Sequence, residues 1–247
     1  MRTRIVCALA AVFTAAGCVA AGAQTAEEIL SRVDANQSYA SIRYRGRMEI
    51  TIGGETRSKT MEAVAQGSSR AFVEFTNPED RGTRYLKRDK NLWIYFPKEQ
   101  DTVKLSGHLL KEGMMGSDVS YEDALESSSY QEKYTASRKP DDTVGDRKCF
   151  VVELAAKVPT AAYDRRVIWI DAERFVALKE EMYAKSGRML KTSTTLSVDR
   201  IGDRWFPTRV EFVSRLRANT RTVFALSGVE LNVAVTEQMF SMAALTK

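Results

Sequence analysis

The sequence predicts a mainly β protein: an incomplete antiparallel β-barrel, or half-barrel, of about 11 strands with short helices covering its concave face. Three observations lead there. Between positions 41 and 231, runs rich in β-branched and aromatic residues recur with little separating them. Most of the intervening turns are short, as at Gly53-Gly54, Ser186-Gly187 and Gly202-Asp203, so successive strands pair as an antiparallel meander. A single sheet of roughly ten or more strands must curl, and the curl creates an inside.

The chain opens with Arg2 and Arg4, an apolar run over residues 5–16, and small residues ending in Ala21-Gly22-Ala23. This is the pattern of a secretory signal peptide (residues 1–23) cleaved before Gln24. Its apolar run is shorter than the about 20 residues that span a bilayer. Ala15-Ala16-Gly17-Cys18 resembles a bacterial lipobox with Ala where Leu is usual, so anchoring through an acylated Cys18 stands as the alternative to a soluble periplasmic product. Residues 24–247 then read as one domain, since no Pro/Gly/Ser linker or repeat divides them. Of three cysteines, Cys149 alone lies beyond the leader, so the domain is held by its core and not by an internal disulfide. In the strand pattern Cys149-Phe150-Val151-Val152, that cysteine reads as a small buried hydrophobe.

Thr25-Ala26-Glu27-Glu28 has the spacing of a capping box, so a helix should start at Ala26 and end near Asn36, with Ile29, Leu30 and Val33 along one side. Strands follow over residues 41–52, 55–66 and 70–76. In the last of these, Phe72 and Glu74 share one face and Ala71, Val73 and Phe75 the other. Asn77-Pro78-Glu79-Asp80 is a turn, after which residues 83–87 and 92–96 form a hairpin that Pro97 ends. Leu92, Trp93, Ile94, Tyr95 and Phe96 are all apolar, which requires cover on both faces and places this strand at the centre of the sheet, with Trp93 largely buried. Trp93 and Tyr95 share one face, and Leu92, Ile94 and Phe96 the other; the pattern leaves open which face lines the inside. After Val103 comes an excursion over residues 108–116, then a short acidic helix around residues 118–126, capped by Ser117 or Asp118. Further strands are expected over residues 130–138, 148–155, 165–171, 175–183, 189–198, 205–213 and 221–231, with Lys139-Pro140-Asp141-Asp142 as a turn.

The formal charge of +5 includes Arg2 and Arg4, and the other basic residues are interspersed with acids. That is a mixed solvated surface without the basic stripe and aromatic platforms of a nucleic-acid binder. Catalytic signatures are also missing: one histidine, His108, no Gly-x-Ser-x-Gly, no Cys-x-x-Cys and no phosphate-cradling glycine loop. A lipid-ester hydrolase would have to pair His108 with Ser106 or Ser117. The reading is therefore non-enzymatic, with no catalytic residues, metal or cofactor.

Three motifs carry a family resemblance: Gly82-Thr83-x-Tyr85-Leu86, Leu92-Trp93-Ile94-Tyr95-Phe96-Pro97 and Gly116-Ser117-Asp118-x-Ser120-Tyr121-Glu122-Asp123. Together with the order of leader, helix and meander, they resemble the LolA-like outer-membrane lipoprotein-sorting proteins. The chain is longer than LolA, and its excursion after Val103 departs from it. The resemblance implies a LolA/LolB-like half-barrel with helices as a lid, whose apolar interior holds acyl chains of lipoproteins or lipids and carries them towards the outer membrane. It implies a monomer with an inner-membrane transporter as partner, transient membrane contact and no cofactor. Candidate lipid-binding residues are Phe72, Phe75, Leu92, Trp93, Ile94, Tyr95, Phe96, Leu109, Leu110, Met114, Met115, Trp169, Met182 and Phe212. Met114-Met115, between Gly113 and Gly116, suits a surface that repacks around variable chains. Arg81 and Arg84 are either lid-closing donors to helix-end carbonyls or solvated strand charges. A lipid-sensing regulatory module on the same scaffold is the alternative to a carrier.

Overall fold

Twelve-residue strands that alternate inward and outward side chains set the frame. In the computed structural model, which describes residues 24–125 and 129–247, β1 (Ser41–Ile52) and β2 (Glu55–Gln66) form a full-length hairpin over the Gly53-Gly54 turn. They are followed by β3 (Arg70–Phe75), β4 (Arg84–Arg88), β5 (Asn91–Phe96) and β6 (Asp101–Leu105). After the excursion come β7 (Tyr134–Val144), β8 (Arg147–Ala156), β9 (Arg165–Asp171), β10 (Ala177–Tyr183), β11 (Met189–Ile201), β12 (Arg204–Ser214) and β13 (Thr220–Leu231). All 13 strands make one open antiparallel sheet, ordered β6-β5-β4-β3-β2-β1-β13-β12-β11-β10-β9-β8-β7. The pairing of β1 with β13 joins the two meanders, and among the described residues nothing closes β6 onto β7.

Several sequence expectations shift. β6 falls between the 83–96 hairpin and the excursion, where the sequence gives no strand, and it brings the sheet to 13 strands. Residues 130–138 do not start as strand: α3 (Tyr130–Lys133) precedes β7. Lys139-Pro140-Asp141-Asp142 is no turn but a bulge inside β7, where the register with β8 slips between Lys139 and Asp142. β7 is an edge strand, so the N–H that Pro140 lacks is not missed. The apolar β5 is next to an edge and not central. It is covered on both faces for a different reason, the packing of the chain's last residues.

α1 (Ala26–Gln37) starts at Thr25 with the capping box in place and lays Ile29, Leu30 and Val33 on the concave face of β7 to β9, against Val152, Leu154, Ile168 and Ile170. Its C-terminal end is pinned by Asn36, whose Nδ2 donates to the carbonyls of Arg174 (2.7 Å) and Phe175 (3.0 Å). A cover segment, residues 107–125, holds two short 3₁₀ turns (Gly107–Lys111 and Met114–Gly116) and α2 (Tyr121–Leu125). It packs Leu110, Met114, Met115, Tyr121 and Leu125 over a second concave cluster of Met48, Ile50, Met61, Phe75, Tyr85, Leu92 and Ile94. On the convex face, the 3₁₀ turn Glu237–Phe240 and α4 (Met242–Thr246) bury Phe240 and Leu245 against Leu86, Phe72, Trp93 and Tyr95. No helix among the described residues is long and apolar enough to cross a membrane. The leader and Cys18 lie outside the described residues, as does Glu126, where the acidic helix was expected to end.

Candidate functional site: a groove between the first helix and the cover segment

Register decides which side chains share the inside. Met182 pairs with Arg166 and with Lys191, Ser193 with Phe212, and Phe212 with Thr222, so these residues stand on one face of the sheet. α1 covers one end of that concave face and residues 107–125 the other. Between them lies a cavity of about 720 Å³, inside the range of about 300–1,000 Å³ typical of small-ligand sites. Its floor is Met182, Phe206, Phe212, Arg166, Glu180 and Lys191; its walls are Asp34 and Gln37 from α1 and Val119, Asp123 and Ala124 from the cover segment.

The charges in the groove are matched. Asp123 meets the Lys191 ammonium, accepts from the Tyr163 hydroxyl at 2.6 Å, and accepts from the Ser120 amide at 2.8 Å. Burial pushes the Asp123 carboxyl up, but the Lys191 charge and these donors outweigh it and hold the group below its ordinary value. Burial and the Asp123 charge push the Tyr163 phenol up, so it stays a donor. Arg166 and Glu180 form a buried ion pair on neighbouring strands, and three rings, Tyr130, Tyr134 and Tyr163, lie within 5.0–5.7 Å of the Arg166 guanidinium. Removing one member of such a buried pair typically costs about 3–5 kcal/mol, because the other charge is left in a poor solvent.

The cover segment is fastened at two points. Midway along it, Asp118 is buried and its carboxylate accepts from Thr220 Oγ1 (2.7 Å), Thr222 Oγ1 (2.9 Å) and Arg217 (3.0 Å). At its tail, Lys87 Nζ donates to the Leu125 carbonyl at 2.9 Å, and burial together with nearby Lys133 lowers the Lys87 pKa to about 8. The helix cap falls on Ser120, not on Ser117 or Asp118: Ser120 Oγ accepts from the Asp123 amide at 3.1 Å while Asp123 reaches back, a capping box. Asp118 is free for the latch because the cap lies two residues later.

The structure divides the candidate residues. Phe75, Leu92, Ile94, Phe96, Leu110, Met114 and Met115 gather in the cluster beneath the cover, and Met182 and Phe212 line the groove. Phe72, Trp93 and Tyr95 instead face the convex side, where Trp93 is half-buried, and Leu109 is exposed. Trp169 is also on the outer face, its indole N–H donating to Asp142 at 2.9 Å and Lys179 lying over its ring. Arg84 does donate to a helix-end carbonyl, that of Leu245, but in α4 on the convex face; Arg81 is exposed. Ser117, the hydrolase candidate, is fully buried with its hydroxyl on the Val119 carbonyl at 3.1 Å, while His108 and Ser106 are exposed. The Cys149 thiol is buried and pushed up to about 11, which suits an inert core residue. Sequence reasoning missed Phe206 and the network of Asp123, Tyr163, Lys191, Arg166 and Glu180. The one available signal was charged residues at alternate, inward positions of strands that otherwise carry Ile168, Ile170 and Met182 there.

An open antiparallel sheet with one helix and one cover segment across its concave face is a LolA-like fold. Within that class, a family model described as "Uncharacterized protein" matches residues 67–247, about three quarters of the chain, and the chain belongs to that family. Solved structures with the same fold include a DUF1329 family protein from Desulfovibrio piger (TM-score 0.82, 21% identity, 88% of this chain and 96% of that one). A protein domain named for outer membrane lipoprotein sorting, from Vibrio parahaemolyticus, is similar at TM-score 0.79 and 21% identity over 89% of this chain and 97% of its own. A LolA superfamily protein from Nitrosomonas europaea is similar at TM-score 0.74 and 22% identity, covering 90% of this chain and 100% of its own. No curated protein matches the sequence.

Proposed function

We propose that this protein is a periplasmic, non-catalytic carrier that takes acyl chains of lipoproteins or lipids into the groove beneath its cover segment and moves them towards the outer membrane. The observation that carries the reading is the groove itself: a cavity of about 720 Å³ with Met182, Phe206 and Phe212 on its floor, on the same concave face as the apolar cluster that Met114 and Met115 cover. Each CH₂ moved out of water is worth about 0.8 kcal/mol, so a chain of ordinary length needs such a lining to leave a membrane. The thioethers can repack around chains of differing shape. The paired charges suit an amphiphile: the chain lies along the apolar floor, and polar atoms near its head meet Arg166, Glu180 and Lys191. Likeness in fold to a domain named for lipoprotein sorting supports the cargo class, and the leader over residues 1–23 supports export.

The test is to secrete the protein with its own leader, purify it and measure extracted lipids by mass spectrometry, alongside titration with a fluorescent fatty-acyl probe. Co-purifying acyl lipids and saturable probe binding that Phe212→Asp weakens are expected. Neither lipid nor probe bound would overturn the reading.

A further inference from the structure

Two hairpins end at the same rim of the sheet. The Gly53 amide in the β1–β2 turn donates to the Asn219 carbonyl in the β12–β13 loop at 2.9 Å, and Ile52 pairs with Thr220. On this rim Leu216 is 57% exposed and Ile52 47%, more than the other large hydrophobics exposed among the described residues. The β10–β11 turn, residues 184–188, lies at the same rim, because β11 pairs with β12 from Lys191 opposite Ser214 onwards. That turn and the β12–β13 loop, residues 215–219, expose Lys185, Arg188, Arg215 and Arg217 and contain no acid. The β1–β2 turn adds one exposed acid, Glu55, which pairs with Ile52, so two apolar tips stand among four cations and a single carboxylate.

Cations flanking exposed apolar points match a surface that is anionic outside and apolar beneath. We propose that this rim docks on anionic phospholipid bilayers, with Leu216 and Ile52 entering the interface and Lys185, Arg188, Arg215 and Arg217 meeting the phosphates. The inference goes beyond the carrier reading and does not depend on what the groove holds. It also has a consequence for the cover segment. Arg217, adjacent to Leu216, donates to the carbonyls of Gly116 (3.2 Å) and Ser117 (2.7 Å) and to the Asp118 carboxylate (3.0 Å). A phosphate that engages Arg217 competes with three acceptors of the cover segment, so docking weakens the latch of that segment on the membrane side.

The experiment is co-sedimentation with vesicles of phosphatidylcholine alone or mixed with phosphatidylglycerol, using the full mature chain. Binding to the mixed vesicles, weakened by salt and absent from phosphatidylcholine alone, is expected. Lys185→Gln with Arg215→Gln should lower the affinity by roughly fivefold per cation, and Ile52→Ser with Leu216→Ser should lower it further. All four positions are exposed, so thermal melts should match the parent, and fatty-acyl probe binding in solution should be unchanged. Equal binding to both vesicle types, no binding to either, or variants that bind like the parent would overturn the proposal; a parent chain that docks but binds no fatty-acyl probe would count against the carrier reading instead.

Discussion

Asp118 and Thr222 exchange two hydrogen bonds across 104 residues of sequence: the Asp118 amide donates to Thr222 Oγ1 at 2.9 Å, and that hydroxyl donates to the Asp118 carboxylate at 2.9 Å. The pair ties the cover segment to β13, at the join of the two halves of the sheet. Asp118→Ala should strand the Thr220 and Thr222 hydroxyls, each buried, and destabilise the fold by about 2–4 kcal/mol. Denaturant melts read the loss, and limited proteolysis should show early cleavage within residues 107–125. A variant as resistant as the parent would mean that the cover segment is held without this residue.

Gly113 offers a separate handle on the same segment. A Cβ there would lie 2.1 Å from the Ser117 carbonyl oxygen, an atom of fixed backbone. Gly113→Ala should therefore displace the Met114–Gly116 turn while leaving the sheet intact. The expected result is an unchanged far-ultraviolet circular dichroism spectrum with reduced fatty-acyl probe affinity; wild-type affinity would show that the turn does not shape the site.

Trp93 and Met115 test the two faces of the sheet against each other. Trp93 packs under the C-terminal segment on the convex side, so Trp93→Ala should cost about 2–3 kcal/mol without altering probe affinity. Met115 packs on the concave cluster, so Met115→Glu sets a carboxylate against any bound chain and should cut probe affinity about tenfold or more with a modest change in melting. The reverse pattern, with Trp93→Ala impairing binding, would place the site on the wrong face.

Acid should act through Asp123. Its folded pKa lies below the usual 3.8, so the carboxylate contributes stability that is fully present above that value and is lost as pH falls through the folded pKa. Asp123→Asn should be less stable than the parent at neutral pH, and the gap should narrow as pH falls from about 4 through the lowered folded pKa. Chemical melts across that window measure it. A gap that stays constant would mean that Lys191 does not interact with ionised Asp123.

Much of the architecture was legible in the residues. The capping box at Thr25, the long β1–β2 hairpin and the alternating strands are local patterns, and local patterns follow from steric preference and amphipathic period without help from distant chain. Expectations failed where distant chain intervened. β5 reads as central because it is apolar on both faces, yet its second cover is α4, contributed by residues 242–246. The stretch around Pro140 reads as a turn, yet it lies within β7, an edge whose outer N–H groups meet no partner strand among the described residues.

Strand spacing and turn chemistry are written in neighbouring residues, so a mainly β, LolA-like meander with an inside to fill can be read from the amino acids alone. Which residues share that inside depends on how distant strands pair. Pairing register carries Arg166, Glu180 and Lys191 inward with Met182, turns Trp93 and Tyr95 outward, and brings Asp118 to Thr222. The reason is geometric: a strand's period of two offers each side chain one of two faces, and which face is the concave one depends on the curl of the whole sheet and on the segments that settle upon it.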